Sequence, residues 1–141
     1  MFYEQRTTVP GTVGELRAEY ESELAALVEG VGVEAAAAET GVDAGRLETL
    51  LEGDSPPLDV EEAAAIVALG EGEPDAATAV EMACEHLLLG MATAVLDVDA
   101  VADELALGLD PKEIQQKVER RAPMSFEEFV HLQYVIASRT P

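Results

Sequence analysis

The sequence predicts an all-α protein made of two diverged helix-turn-helix-like four-helix units in tandem, packed as one compact bundle. Three observations favour this class. Capping residues precede several apolar-periodic stretches, glycines follow many of them, and only residues 2–9 resemble an extended segment. At 141 residues, one compact domain is expected, and we divide the chain into an extended arm at 1–9, a first helical repeat at 10–72 and a second at 73–141.

Four helix starts carry a capping residue followed three positions later by glutamate: Thr12 with Glu15, Asp59 with Glu62, Asp110 with Glu113, and Ser125 with Glu128. The first side chain accepts from an orphan N–H, and the glutamate can reach back to the cap. Helix stops are predicted at Gly30, Gly41, Gly53, Gly70 and Gly108. These signals predict helices at 13–29, 34–40, 44–52, 60–69, 75–96, 99–107, 111–121 and 126–138.

The helix at 75–96 is the longest and most apolar. Its apolar residues recur at steps of three and four and predict one stripe facing a core: Val80, Cys84, Leu87, Leu88, Met91 and Val95. The longest apolar run, 87–96, is shorter than the ~20 residues that a membrane-spanning helix needs. We therefore expect no membrane association. Because 1–10 lacks the basic and apolar regions of a signal peptide, we expect a cytoplasmic protein.

An internal repeat relates the two halves. A shift of 67 positions places Ala35, Gly41, Asp43 and Glu52 on Ala102, Gly108, Asp110 and Glu119. After a one-residue deletion near 54–57, it places Pro57, Glu61 and Glu62 on Pro123, Glu127 and Glu128. The apolar positions follow the same frame, as does the pattern of caps. We predict a tandem duplication in which the two long helices pack on each other across a pseudo-twofold centre.

Residues 35–53 resemble a helix-turn-helix of the phage-repressor type. Ala37 provides the small residue four positions before the turn, and Gly41 suits the left-handed turn conformation. Apolar residues that would hold the second helix follow at Val42, Leu47 and Leu50. The second half has Glu104 and Lys117 at the small and apolar positions, which puts its hairpin in doubt. The resemblance implies a fold more than it implies DNA binding, since such hairpins also serve as packing units.

Acidic residues dominate the charge but are unevenly balanced. The chain has 29 Asp and Glu against 8 Lys and Arg, a formal net charge of −21. Residues 1–72 hold 16 acids and 3 bases, a balance of −13, whereas 73–141 hold 13 acids and 5 bases, a balance of −8. Only 111–121 is locally positive, with 4 bases against 2 acids. We expect any anionic partner to dock there.

The candidate contact residues are Lys112, Gln115, Gln116, Lys117, Arg120 and Arg121. Arginine and glutamine are the side chains that read guanine and adenine edges in a DNA major groove. The competing interpretation is that Lys112, Lys117 and Arg121 pair with nearby carboxylates on an exposed helix. Four bases neutralise fewer phosphates than the 6 to 10 contacted by a tight DNA binder, although a dimer doubles the count. Both interpretations stay open here.

The composition resembles that of haloarchaeal cytoplasmic proteins, whose carboxylate-rich surfaces keep the chain hydrated in concentrated salt. Five segments resemble a small haloarchaeal family of unknown function: MFYEQR, ELRAEYE, TGVDAGRL, HLLLGMATAVLD and APMSFEEF. The resemblance implies no known activity. If the acidity is an adaptation to solvent, the net charge says little about partners, because salt near 1 M reduces the Debye length to about 3 Å.

Few residues suit catalysis or metal binding. Cys84 and His86 are two apart on a helix and face different directions. Glu128 and His131 have the spacing of a di-iron ligand pair, but a second such pair is missing from the sequence. No phosphate-binding glycine loop or nucleophile motif is present. We expect no enzyme, no cofactor, no metal and no small-molecule substrate.

The sequence therefore favours a non-catalytic helical interaction or regulatory protein. A protein partner or self-association is expected, because 126–138 places apolar side chains around more of its helix than one core face requires. The alternative is a sequence-specific DNA-binding transcriptional regulator that acts as a homodimer through the helix at 111–121. An enzyme would require His86 or His131 in a pocket beside buried carboxylates.

Overall fold

A computed structural model describes residues 1–140, and this range contains eight helices. They are α1 (Val13–Val31), α2 (Val33–Thr40), α3 (Ala44–Leu51), α4 (Val60–Val67), α5 (Ala76–Ala94), α6 (Val98–Glu104), α7 (Pro111–Val118) and α8 (Phe126–Arg139). The predicted all-α class is confirmed. Among the described residues, the only β pairing is an isolated antiparallel bridge between Asp59 and Ser125.

The predicted caps set most helix starts. The side chains of Thr12, Asp59, Asp110 and Ser125 each accept a hydrogen bond from the backbone N–H three residues later. The reciprocal glutamate bond forms at Asp59 and Ser125, which completes two capping boxes. At α1, the carboxylate of Glu15 accepts instead from the backbone N–H of Gly11, 3.1 Å away.

Helix ends depart further from the predictions. Helix α1 continues through Gly30 and ends before Gly32, which has a φ of 90°. Helix α6 ends at Glu104, about one turn earlier than predicted, and α7 ends at Val118. Gly41 does terminate α2 in the left-handed conformation, with a φ of 76°.

The two halves meet through α4 and α8. The N–H of Val60 donates to the carbonyl of Met124 over 3.0 Å, and the N–H of Phe126 donates to the carbonyl of Leu58 over 2.8 Å. Helices α4 and α8 also each pack against both long helices, α1 and α5. Within residues 1–140, α1 and α5 do not contact one another. The predicted packing of the two long helices is therefore wrong, because α4 and α8 occupy the centre.

The segment at 1–9, predicted as an extended arm, packs into the core through its first residues. The Phe2 side chain is only 1% exposed, and its ring lies edge-on to Phe126 and Phe129, with centroids 5.2 and 5.5 Å apart. The side chain of Gln133 donates to the carbonyl of Phe2 over 3.1 Å and accepts from the hydroxyl of Tyr20. The arm thus completes an aromatic cluster between α1 and α8.

Helix α8 is covered by this chain itself. Its buried apolar residues are Phe126, Phe129, Val130, Leu132, Val135 and Ile136. The arm covers part of them, and α1, α4, α5 and α6 pack along the helix. The apolar surplus that favoured an association surface is therefore satisfied within one chain.

The predicted stripe on α5 is correct in part. Val80, Cys84, Leu87 and Met91 are buried, but Leu88 is 43% exposed and Val95 is 89% exposed. Val95 follows the end of the helix in the left-handed conformation, with a φ of 56°. Leu88 is turned about 100° from Leu87 by the helix geometry. The buried face instead continues through Gly90, where an added Cβ would lie 2.7 Å from the side chain of Ile136.

Across the described part of the chain, no single helix combines the length and apolar character needed to cross a bilayer. Together α5 and α6 meet those two criteria, but the chain bends by 95° between them.

Candidate anion-binding cleft beside helix α7

The first predicted helix-turn-helix pair has the expected local packing. The N–H of Gly41 donates to the carbonyl of Ala37 over 3.0 Å. Val42, Leu47 and Leu50 are all buried. Ala36, one position earlier than predicted, is the fully buried small residue of α2.

The second pair differs from the first. Between α6 and α7 the chain runs through 105–110, whereas only 41–43 separate α2 from α3. Glu104, which replaces a small residue, forms a salt bridge with Arg139 of α8. Lys117, which replaces Leu50 in the repeat, turns its side chain toward the loop that follows α7. The tandem helix-turn-helix arrangement therefore stays a prediction.

Three of the six candidate residues bond to carboxylates, two of them in ion pairs. The ammonium of Lys117 lies 3.0 Å from the carboxylate of Glu128, donates to the carbonyl of Pro123 over 2.8 Å, and is only 14% exposed. The guanidinium of Arg121 pairs with Glu119, whose carboxylate also accepts from Gln115 over 3.1 Å. For Lys117 and Arg121, the predicted pairing with nearby carboxylates is present.

Two bases, one in α7 and one just after it, are unpaired. Ion pairs occupy Arg6, Arg17, Arg46, Lys117, Arg121 and Arg139. Lys112 and Arg120 are the only two bases in residues 1–140 with no carboxylate within 4.0 Å. Both are exposed, one in the first turn of α7 and the other just past its end.

The six candidates do not share one surface. Lys112, Gln115 and Gln116 recur at steps of three and four and lie on the outer side of α7. Lys117, Arg120 and Arg121 instead line a cleft on the other side of the helix end. The structure therefore divides the candidates into an outer face and a cleft.

The cleft has a volume of about 350 Å³ and lies between the start of α4, the middle of α5 and the loop after α7. Acidic Asp59 and Glu61 are on the α4 side, and Arg120 and Arg121 are on the loop side. Apolar and thiol groups complete the lining: Val60, Val80, Cys84, Ala122, Pro123 and Met124. A smaller cavity of about 250 Å³ shares Glu61, Val80 and Arg120 with it.

Arg120 has an uncommon backbone conformation. Its φ is 64°, in the left-handed region that side-chain-bearing residues rarely adopt. The 67-residue repeat equates it with Gly53, whose φ is 87°. A non-glycine residue in this region costs about 1–3 kcal/mol. The second half thus keeps an arginine where the first half has the residue that avoids this strain.

The residue that the repeat aligns with Cys84 is Arg17. Its guanidinium lies 3.1 Å from the carboxylate of Glu21 and 3.7 Å from that of Glu127. The hydroxyl of Ser55 donates to Glu21 over 2.7 Å. In this alignment, the first half has an ion-paired arginine where the second half has the cysteine that lines the cleft.

The single cysteine of the chain lines the cleft. Burial raises the pKa of the Cys84 thiol, and the positive charge of Arg120 opposes that rise. Burial lowers the pKa of His131, and the Nδ1 of His86 lies 2.7 Å from the carbonyl of Tyr3. Neither histidine lines the cleft. Within residues 1–140, no three His, Cys, Asp or Glu side chains converge to hold a metal ion.

The local excess of bases in the sequence indicates three of the cleft residues, Lys117, Arg120 and Arg121. The sequence pattern predicts Cys84 only as a core residue and Asp59 only as a cap. The signal that could have indicated the cleft is the exchange of Arg17 for Cys84 between the repeats, which removes a large cationic side chain.

These features define an all-α protein with a cleft of mixed charge where its two halves meet. The chain belongs to a family of unknown function, DUF5791, whose sequence profile matches residues 16–139. The matched range includes every residue that lines the cleft. Comparisons with curated proteins and with solved structures gave no match.

Proposed function

We propose that the protein is a non-catalytic helical interaction or regulatory protein whose partner docks on residues 111–124, the α7 surface. One observation carries this proposal: among 29 acids and 8 bases, the two unpaired bases of the described chain, Lys112 and Arg120, both lie on that surface. Since carboxylates are abundant elsewhere, this is where an anionic partner meets the least repulsion.

The partner surface that fits is acidic. A second copy of this chain meets that requirement because its formal charge is −21, so self-association is one form of the proposed interaction. A different acidic protein meets it equally. Light scattering in concentrated KCl separates these two forms. It measures the mass of the wild type and of a variant that lacks the free cationic side chains of Lys112 and Arg120.

The test compares the wild type with a Lys112→Gln, Arg120→Gly double variant in affinity capture from lysate at native salt. A Gln5→Glu, Thr8→Glu variant is the matched control, because it changes the net charge by the same two units at exposed positions of the arm. We expect a partner that the wild type and the control retain and the double variant loses. Equal retention by all three proteins would reject the α7 surface.

A DNA-binding regulator is the second candidate. The observation that favours it is the outer face of α7, where Lys112 and Gln116 are available for phosphate and base contacts, while the amide of Gln115 donates to Glu119. Because Lys117 and Arg121 are ion-paired, each chain offers two free cations and a dimer four, fewer than the 6 to 10 contacts of tight binders. The geometry therefore favours the interaction protein.

The two candidates give different results in a DNA-binding titration. If the protein is a regulator, it binds promoter DNA in multimolar KCl, and changing Lys112, Lys117, Arg120 and Arg121 together to alanine abolishes that binding. Removing Lys112 alone should reduce the salt dependence, d log K/d log[salt], by about 1. Undetectable binding, or binding that survives the fourfold substitution, would remove the second candidate.

We also propose that the acidic surface is an adaptation to the cytoplasm of a halophilic archaeon. The support is the net charge of −21 together with the pairing of six of the eight bases. Lowering KCl from about 3 M to 0.1 M lengthens the Debye length to about 10 Å and exposes the chain to its own repulsion. We expect the Tm to fall steeply over this range, and a Tm independent of KCl would contradict the proposal.

A further inference from the structure

We propose that the cleft between α4, α5 and the loop after α7 is a binding site for a small organic monocarboxylate, with Arg120 as its anchor. The sequence indicates no small-molecule ligand, so this site would be a new binding function of the protein. Arg120 also belongs to the α7 surface, but the ligand would lie inside the cleft, whereas Lys112 lies outside it.

The comparison of the two halves is the first support. In the first half, Arg17 fills the position that the repeat equates with Cys84, and its guanidinium joins Glu21 and Glu127. In the second half, the smaller Cys84 leaves a cleft of about 350 Å³. This volume is within the range of about 300–1,000 Å³ that is typical of ligand pockets.

The backbone of Arg120 is the second support. The equivalent Gly53 shows that the turn accepts glycine, yet the second half has an arginine at a φ of 64°. Its guanidinium makes no hydrogen bond or ion pair that would offset the strain within the described chain. The left-handed turn caps α7, since the N–H of Arg121 donates to the carbonyl of Gln116 over 2.7 Å. Glycine would make the same turn without strain, so the turn does not account for the arginine side chain.

The lining selects the class of ligand. A guanidinium binds a carboxylate through two parallel hydrogen bonds, and Val80, Cys84 and Met124 offer an apolar surface for the rest of the molecule. Lys117 and Arg121 also line the cleft, but each is already paired with a carboxylate. Asp59 and Glu61 on the α4 side repel a second negative charge. A monocarboxylate with a short aliphatic chain or one ring fits this arrangement better than a phosphate dianion does.

The test uses the single cysteine of the chain as a reporter. The rate at which Cys84 reacts with N-ethylmaleimide is measured at fixed high KCl with four probes: hexanoate, hexylammonium, acetate and inorganic phosphate. Saturation-transfer NMR on hexanoate gives a second readout that does not depend on the reactivity of the buried thiol. We expect hexanoate to slow the labelling and to show saturation transfer, and the other three probes to have little effect.

Variants assign the effect to Arg120. Arg120→Gly introduces the residue that the first half has at this turn, so the fold is expected to tolerate it, and hexanoate affinity should fall at least about tenfold. Lys112→Gln removes the other free base, outside the cleft, and should leave the affinity unchanged. Cys84→Arg should fill the cleft and abolish the hexanoate NMR signal.

Three results would overturn the proposal. They are the absence of hexanoate binding in both readouts, equal protection of Cys84 by hexylammonium or phosphate, and unchanged hexanoate affinity in Arg120→Gly. Partner capture is separated from ligand binding by Lys112→Gln alone, which removes a free base of the α7 surface and leaves the cleft intact.

Discussion

The loops after α3 and after α7 have the same backbone and opposite charge. In each loop, the first residue of the turn donates its N–H to the carbonyl three residues earlier over 3.1 Å: Gly53 to Leu50, and Arg120 to Lys117. The next residue is Asp54 in one loop and Arg121 in the other. The turn geometry is therefore compatible with either charge, and the side chains are left to determine what each loop can bind.

Both loops are also held by a cation, but from different helix positions. Arg46 donates to the carbonyl of Pro57 over 2.8 Å and pairs with Glu62. Lys117 makes the same two contacts with Pro123 and Glu128. Arg46 is the third residue of α3, whereas Lys117 is the seventh residue of α7. These paired contacts support our hypothesis of a tandem duplication, and they show that equivalent contacts need not align in sequence.

The largest difference in unfolding free energy is expected at the bridge between the halves, where the repeat aligns Val60 with Phe126. Phe126→Ala should lower the free energy of unfolding by about 3–5 kcal/mol, because Phe126 is buried against the ring of Phe2. Val60→Ala removes a smaller side chain and should cost less. Urea denaturation in concentrated KCl measures both, and equal losses would show that the arm adds nothing to the second half.

The two capping boxes should be similar in strength. Glu128→Ala removes the acceptor of both Lys117 and the Ser125 N–H, and should cost about 2 kcal/mol. Glu62→Ala removes the same contacts from Arg46 and Asp59, so a loss of similar size is expected. If only one variant is destabilised in urea denaturation, the two loops are not held in the same way.

Relief of the backbone strain at Arg120 should stabilise the protein, in contrast to the substitutions above. Arg120→Gly is expected to raise the free energy of unfolding by about 1 kcal/mol, because glycine adopts a positive φ at no steric cost. Arg120→Ala, which keeps a Cβ, is the control and should give no such gain. Stabilisation by alanine as large as that by glycine would attribute the effect to charge.

The smallest expected effect is on pH dependence. The hydrogen bond from Arg46 holds the pKa of Glu62 below its ordinary value, whereas burial opposes that shift. The contribution of Glu62 to stability is therefore complete above the unfolded pKa of about 4.3 and is lost as pH falls through the lowered folded value. The Tm difference between wild type and Glu62→Gln should shrink below about pH 4.3, and a constant difference would contradict this.

Local sequence signals predicted where helices begin better than where they end. Starts at Val13, Val60, Pro111 and Phe126 agree with the predictions, and each has a side-chain cap within three residues. The start at Ala44 also agrees, although the Asp43 side chain makes no cap hydrogen bond. Near the end of α6, Glu104 pairs with Arg139 on another helix, a contact that the local sequence does not indicate. Caps are local, whereas contacts of this kind depend on the tertiary fold.

The site was less accessible to sequence reasoning than the fold. The excess of bases at 111–121 identified the region, but a count of charges cannot tell that Lys117 turns inward to Pro123 while Arg120 stays free. The burial of Phe2 was missed for the same reason, because its aromatic partners lie on α8. Pairings across such distances appear only when the topology is known.

The insertion of Phe2 also has a consequence for the order of folding. Its contacts with Phe126, Phe129 and Gln133 join the first residues to the last helix, so they close a loop that includes nearly the whole chain. Such closure is slow and entropically costly. During synthesis, the aromatic cluster can form only once α8 has left the ribosome. Until then, Phe2 lacks the aromatic partners that bury it.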